Sequence, residues 1–148
     1  MWAVCCSNIQ IPVDDCPFVL INHIPRPYLG IKIINPHTNK SASAYGLIDT
    51  GADECAIPAG YASLLGHNLL AGKTKLIGTG NGTTTAYSHT TKFELYHPLT
   101  GKLLHTISET PIDFMPNLRM VFLGVNSFLS NFVLNIDYPE KTFSIKHP

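Results

Sequence analysis

An apolar run that ends in an acidic turn constrains the fold of this chain more than any other feature. Residues 47–53 read Leu-Ile-Asp-Thr-Gly-Ala-Asp, so Asp49 directly follows two apolar residues. Burying a lone carboxylate costs several kcal/mol, so Asp49 needs a partner. Gly51 permits a tight turn and the close approach of a ligand, and Thr50 offers a hydroxyl beside the carboxylate. The segment predicts a carboxylate held on a sharp turn at the end of a buried strand, an arrangement suited to catalysis.

Four segments, in order, resemble the retropepsins, the single-domain aspartic proteases of the retroviral type. They are an Arg-Pro and first core strand at residues 26–33, the Asp-Thr-Gly segment at 47–53, a glycine-rich flap at 75–82, and a hydrophobic-hydrophobic-glycine element with a short helix at 122–129. Asp-Thr-Gly alone recurs by chance, whereas four blocks in family order are a specific signal. The resemblance covers about residues 26–146. It implies an all-β closed barrel with one short helix, active as a two-fold dimer.

The acidic motif occurs only once in the 148 residues. Aspartic protease chemistry uses two carboxylates that share one proton, one ionised to activate water and the other protonated to polarise the scissile carbonyl. A chain of this length suits one domain rather than two lobes. We therefore expect a homodimer in which Asp49 faces its symmetry mate, and an inactive monomer. The shared proton implies an acidic to near-neutral pH optimum.

The resemblance also implies roles for the turn and the flap. Asp49 would activate the water, the Thr50 hydroxyl would hold the two turns together, and Gly51 would bond the substrate backbone. A peptide or protein substrate would lie in a cleft whose predicted binding residues are Gly51, Ala52, Asp53, Ile77, Gly78, Thr79 and Gly80. Arg26 is expected to pair with Asp53 of the other subunit, although a solvated surface role is its plain alternative.

The glycine-rich segment at residues 78–82 has two other interpretations. A phosphate-binding loop is disfavoured because the Lys-Ser/Thr ending is absent and a threonine-rich strand follows. An ordinary solvent-exposed turn remains open. We predict a hairpin tip that closes over an extended peptide and pairs with its backbone.

Two departures from the retroviral pattern concern the dimer. Val125 stands where the family has an arginine, so an ion pair within the subunit is missing. The chain also continues beyond residue 138 into a further strand, so the dimer sheet is expected to be built as in cellular or bacterial relatives. These departures leave open a fold used for dimerisation or peptide binding with little turnover. A protease that stays inactive until residues 1–25 are removed is a third interpretation.

Composition indicates a compact domain and excludes several function classes. The chain is 45% hydrophobic and 14% charged with zero net charge, so no nucleic-acid or membrane partner is expected. It has no apolar run of roughly 20 residues, and its N-terminus has no basic region followed by a hydrophobic stretch. These features predict a cytoplasmic protein.

No cofactor or metal is expected, because the histidines and cysteines lack the spacing of metal ligands. The cysteines are interpreted as reduced thiols: Cys5, Cys6, Cys16 and Cys55. Neither a Gly-x-Ser-x-Gly nor a His-Glu-x-x-His motif is present.

The predicted secondary structure is almost entirely strand. Apolar or β-branched runs separated by Gly, Pro and Asn predict strands at residues 28–34, 44–48, 84–96, 103–108, 132–138 and 142–146. Loops are predicted at 35–40, 96–102 and 139–141, and the short helix at 126–131. Residues 26–148 are predicted to form the domain. Residues 1–25 are a flank with three open interpretations, namely a strand extension, an adaptor or a removable segment.

Overall fold

Strands form most of the protein, as predicted. The computed structural model describes residues 6–7, 16–96 and 100–148. The strands are β1 (Cys6–Ser7), β2 (Cys16–Pro17), β3 (Val19–Ile21), β4 (Ile24–Arg26), β5 (Tyr28–Ile34), β6 (Ser41–Ile48), β7 (Ala56–Pro58), β8 (Lys73–Thr79), β9 (Gly82–Tyr96), β10 (Leu103–Met115), β11 (Val121–Leu123), β12 (Val133–Asp137) and β13 (Thr142–Lys146). Helix α1 spans Tyr61–Leu64, and 3-10 helices span Leu69–Ala71 and Leu129–Asn131.

Seven strands form one sheet that closes on itself. Their order is β10-β7-β11-β6-β5-β9-β8, and β10 also pairs antiparallel with β9. Because β10, at one end of this path, also pairs with β9, six of these strands close into a barrel, and β8 extends from β9 outside the closed ring. Ile33, Phe93, Phe114 and Leu123 have no exposed surface and fill the interior. Burial of each such side chain stabilises the fold by roughly 1.5–3 kcal/mol. The all-β fold class is confirmed.

Strand β10 continues well past its predicted end at residue 108. Pro111 cannot donate a hydrogen bond to a sheet ladder, a property that favours a break in a strand. Instead the pairing with β9 shifts register between Ile107 and Thr110, and Glu109 adopts a φ of 46°. This bulge absorbs the irregular residues, and the strand resumes to Met115. The predicted loop at 96–102 includes residues 97–99, which lie outside the described residues.

The predicted helix at residues 126–131 is wrong in position. Residues 125–128 form a turn and Leu129–Asn131 a 3-10 helix, whereas the α-helical turn lies at Tyr61–Leu64. The amide of Leu129 donates to the carbonyl of Gly124, five residues back, and not to residue 125 as in an α-helix. The amides of Val125 and Asn126 donate to the loop at 52–53. These tertiary contacts prevent a regular helix.

The two ends of the chain meet in a second sheet. Strand β13 pairs antiparallel with β12 and with β2, and parallel with β1. Cys6–Ser7 and Cys16–Pro17 therefore extend the C-terminal hairpin as added strands. Strands β3 and β4 form a separate hairpin before the barrel. The division of the chain into a flank and a domain stays a prediction, as does removal of the flank.

The hairpin formed by β8 and β9 projects beyond the barrel. Its strands pair from Lys73 opposite Ser88 to Thr79 opposite Gly82, with the tip at residues 80–81. Gly82 has a φ of 115°, a conformation that glycine adopts without strain. The hydroxyl of Thr79 donates to the Gly82 carbonyl at 3.0 Å and closes the tip. The glycine-rich segment is thus a hairpin tip.

Candidate active site

The acidic turn lies at the end of β6 and is held by backbone hydrogen bonds. The amide of Asp49 donates to the carbonyl of Leu123 at 3.1 Å, so the turn is tied to the neighbouring strand β11. The amide of Gly51 donates to Oδ1 of Asp49 at 3.0 Å, and the amide of Ala52 donates to the Asp49 carbonyl at 3.2 Å. The Asp49 carboxylate is half-buried and is oriented by the turn that follows it.

Residues 124–127 brace the loop that follows the turn. The amide of Val125 donates to the Ala52 carbonyl at 2.9 Å, and the amide of Asn126 donates to the Asp53 carbonyl at 2.7 Å. The hydroxyl of Ser127 accepts a hydrogen bond from the Cys55 amide at 3.0 Å. The hydrophobic-hydrophobic-glycine element thus supports the acidic turn from below, and its Phe122 also lines the cleft beside that turn. Val125, at the position of the missing arginine, packs half-buried against the core.

A cleft of about 940 Å³ opens between this turn and the hairpin of β8 and β9. Asp49 lies on its wall, together with every predicted binding residue: Gly51, Ala52, Asp53, Ile77, Gly78, Thr79 and Gly80. The fold thus brings together two segments that are far apart in sequence. Thr50 is exposed and is not part of the lining, so its predicted role concerns a contact outside the single chain.

At two positions of the flap hairpin, neither close packing nor a positive φ requires glycine. A Cβ built on Gly78 or Gly80 would meet no atom within 4 Å, and neither residue has a positive φ. Both residues are exposed and line the cleft. The space beside these two glycines is therefore open to the close approach of another backbone.

The cleft contains an ion pair that the sequence analysis missed. Nζ of Lys75, on β8, lies 2.7 Å from Oδ2 of Asp113, on β10, and Asp113 is only 3% exposed. Burial raises the pKa of Asp113 above its ordinary value, the hydrogen bond and charge of Lys75 oppose this shift, and Glu54 adds to it. The available signal was an acidic residue between Ile112 and Phe114, although Asp113 lacks the hydroxyl residue and glycine that follow Asp49.

Charged groups in the cleft are mostly carboxylates. Asp49, Asp53, Glu54 and Asp113 face the single ammonium group of Lys75. Across residues 6–7, 16–96 and 100–148, no three His, Cys, Asp or Glu side chains are arranged to hold a metal ion. The chemistry available from these side chains is proton transfer by carboxylate. Among the described residues that line the cleft, Asp49 is the carboxylate held by a tight turn.

Arg26 and Asp53, the predicted pair between subunits, are both exposed. Neither forms an ion pair with another described residue of the same chain. In the described part of the protein, no helix is long and apolar enough to cross a membrane.

Comparison with known proteins identifies the fold. No protein-family model matches the chain, and no curated protein matches it significantly. A retropepsin-like aspartic protease from Rickettsia conorii is similar in structure, with a TM-score of 0.55, 23% identity, and coverage of 78% of this chain and 88% of that one. EIAV protease complexed with the inhibitor HBY-793 has a TM-score of 0.44, 18% identity, and coverage of 72% and 88%. The chain has a retropepsin-like fold.

Proposed function

We propose that the protein is an aspartic endopeptidase that acts as a homodimer. The observation that carries the proposal is the position of Asp49. Its carboxylate lies on a braced turn in the wall of a cleft, opposite a hairpin whose exposed Gly78 and Gly80 are required neither by close packing nor by a positive φ. The retropepsin-like fold agrees with this chemistry but does not establish it, since one fold hosts several functions.

In the proposed mechanism the second carboxylate comes from a second copy of the chain. The two Asp49 carboxylates share one proton and hold a water molecule between them. The ionised carboxylate takes a proton from this water as it attacks the scissile carbonyl, and the protonated one donates a hydrogen bond to the carbonyl oxygen. Charge repulsion between the close carboxylates keeps one of them protonated. The Thr50 hydroxyl holds the two turns together across the axis.

The substrate is proposed to bind as an extended peptide between the turn and the flap. Backbone groups of Gly51 and of residues 77–80 would pair with it as an added strand, a mode in which main-chain hydrogen bonds supply affinity. Ala52 and Asp53 would contact it at the rim. The exposed Arg26 of one subunit is proposed to pair with Asp53 of the other, which links dimer formation to the cleft.

The test is cleavage of a diverse peptide library at several pH values by the wild type and Asp49→Asn, with and without pepstatin. Asp49→Asn keeps an oxygen that accepts from the Gly51 amide, so the fold is expected to survive. Loss of the acid and base should lower kcat/KM at least about a hundredfold. Asp137→Asn is the matched control, since Asp137 is exposed and lies outside the cleft lining.

Protein concentration tests the dimer. The specific activity of the wild type should rise with concentration, and excess Asp49→Asn protein should inhibit it by forming mixed dimers. A folded dimer without cleavage would contradict the protease and favour a peptide-binding module. Activity that appears only after loss of residues 1–25 would indicate a latent precursor. Cleavage that Asp49→Asn retains would overturn the mechanism.

A further inference from the structure

The ion pair between Lys75 and Asp113 spans the strand that lies between them. Strand β9 separates β8 from β10, and Ser88 on β9 pairs with Lys73 on one side and Asp113 on the other. Lys75 lies two residues along β8 on the same face, opposite Ala86. The small, fully buried side chain of Ala86 leaves space for the Lys75 stem, so Nζ reaches Oδ2 of Asp113 at 2.7 Å.

This ion pair lies where the flap leaves the barrel. Toward the flap, the last residue pair between β10 and β9 is Phe114 with Tyr87. Beyond it, residues 82–86 of β9 pair only with residues 75–79 of β8 among the described strands. A two-stranded hairpin alone is only marginally stable. The position of this projecting segment therefore depends on contacts at its base.

We propose that Lys75 and Asp113 form a latch that holds the base of the flap against the cleft wall and so positions the flap over the substrate. Both are positioning residues, since they act through the flap and not on the reacting atoms. The link to cleavage rests on the proposed function. The latch itself lies within one chain, so it is measurable without dimerisation or activity.

The chemistry of the latch separates it from an ordinary stabilising contact. The latch requires an ionised Asp113, so it is intact above the pKa of that group and is lost as pH falls through it. The charged groups that act on Asp113 are Lys75 on β8 and Glu54 in the loop before β7. Because burial raises the pKa in the folded state, ionised Asp113 does not stabilise the fold at neutral pH. Its removal should loosen the flap without lowering global stability.

Amide hydrogen exchange of the flap tests the proposal. Asp113→Asn, Lys75→Met and the double variant should each exchange about two- to fivefold faster at residues 75–86, the effect of losing one partly exposed ion pair. The double variant should be no faster than either single variant, because all three lack the same pair. Core amides of β5 should be unchanged in Asp113→Asn and in the double variant, whereas Lys75→Met leaves the buried Asp113 carboxylate without its cation and should lower core protection as well. Lys75→Arg keeps a cation and should retain the protection.

Lys73→Met is the matched control, since Lys73 is exposed on the same strand and has no ion pair with a described residue. Wild-type flap protection, corrected for intrinsic exchange, should fall as pH drops through the pKa of Asp113, while that of Asp113→Asn should not. If Asp113→Asn or Lys75→Met lost core protection as well, flap exchange in the wild-type titration and in Lys75→Arg would decide whether the latch exists. Flap exchange that is equal in Lys73→Met, Lys75→Met and Asp113→Asn would overturn the latch.

The readouts separate this proposal from the proposed function. If the protein cleaves peptides, loss of the latch should raise KM more than it lowers kcat, because substrate is held by a less ordered flap. If exchange shows the latch but no cleavage occurs, the proposed function fails alone. If cleavage occurs and flap exchange is unaffected, the latch fails alone.

Discussion

Gly124 and Glu54 are packed so closely that a Cβ on Gly124 would lie 2.4 Å from the carbonyl oxygen of Glu54. This contact joins two segments that are distant in sequence, the loop after Asp49 and the turn after β11. The Gly124 amide also donates to Sγ of Cys55 at 3.3 Å, so Gly124 bonds the side chain of the residue that follows Glu54. The position of the acidic turn therefore depends on a residue without a side chain.

Gly124→Ala should destabilise the protein by about 1–3 kcal/mol, because the backbone at residue 54 has to move to accept a methyl group. Denaturant unfolding measures this change. Gly60→Ala is the control, since a Cβ there meets no atom within 4 Å and Gly60 has a φ of −58°. That variant should be unchanged or more stable by about 0.5 kcal/mol. Equal effects of the two substitutions would refute the steric role of Gly124.

Gly78→Val should leave stability within about 0.5 kcal/mol of the wild type and yet reduce peptide cleavage, because the side chain enters the cleft and not the core. Unfolding curves and kcat/KM on the same preparations measure the two effects. Thr74→Val, on the exposed part of β8 outside the cleft lining, should change neither. Cleavage at the wild-type rate by Gly78→Val would show that no substrate passes close to the flap at this position.

His67 should make the protein less stable as pH falls. Its pKa is lowered from the ordinary value, first by burial and then by His89, whose ring centroid is 4.4 Å away, and by His37. Because the folded state has the lower pKa, the stability contributed by His67 is present above about pH 6.5 and is lost as pH falls through the lowered value. Urea unfolding at about pH 7.5 and pH 5 measures the loss.

His67→Phe should reduce this pH dependence, because it removes a titrating group whose Nε2 is buried without a partner in the described part of the chain. Asn35, which contacts His67, keeps its hydrogen bond to the Leu65 carbonyl. His23→Asn, at an exposed turn with a φ of 65°, should behave as the wild type. An unchanged pH dependence in His67→Phe would assign the effect to other groups.

Cys55 should react with thiol reagents only when the protein unfolds. Burial raises its pKa to about 11, against opposing hydrogen bonds from Ser127 and Gly124, and the thiol is free and has no exposed surface. Alkylation at about pH 7.5 followed by peptide mass mapping should find Cys55 unlabelled in the native protein and labelled in denaturing guanidinium chloride. Rapid native labelling would mean that the barrel opens near the acidic turn.

The parts of the fold that were predictable are those that local sequence determines. Strand β5 and strand β13 have their predicted bounds, because alternating apolar residues between turn residues select an extended chain with one buried face. The hairpin tip followed from Gly78 to Gly82 for a similar reason. The short helix was misplaced because Val125 and Asn126 bond a distant loop, which no local pattern reveals.

The candidate site, like the fold, was predictable from the sequence only in part. Asp49 and the flap were found from short motifs, whereas the ion pair of Lys75 with Asp113 was not, since its partners come from strands that meet only in the barrel. The homodimer, the cytoplasmic location, the domain division and the roles of Thr50, Asp53 and Arg26 stay predictions, because they concern contacts or processes outside the single chain.

By itself, the sequence determined an all-β chain with one acidic turn and one glycine-rich hairpin, because turn chemistry and side-chain periodicity act over a few residues. Only the tertiary structure decided that the turn and the hairpin face one cleft, that Gly124 braces the loop beyond Asp49, and that Asp113 is buried against Lys75. These relations depend on which strands become neighbours when the sheet closes, and that choice minimises the free energy of the whole core, not of any one segment.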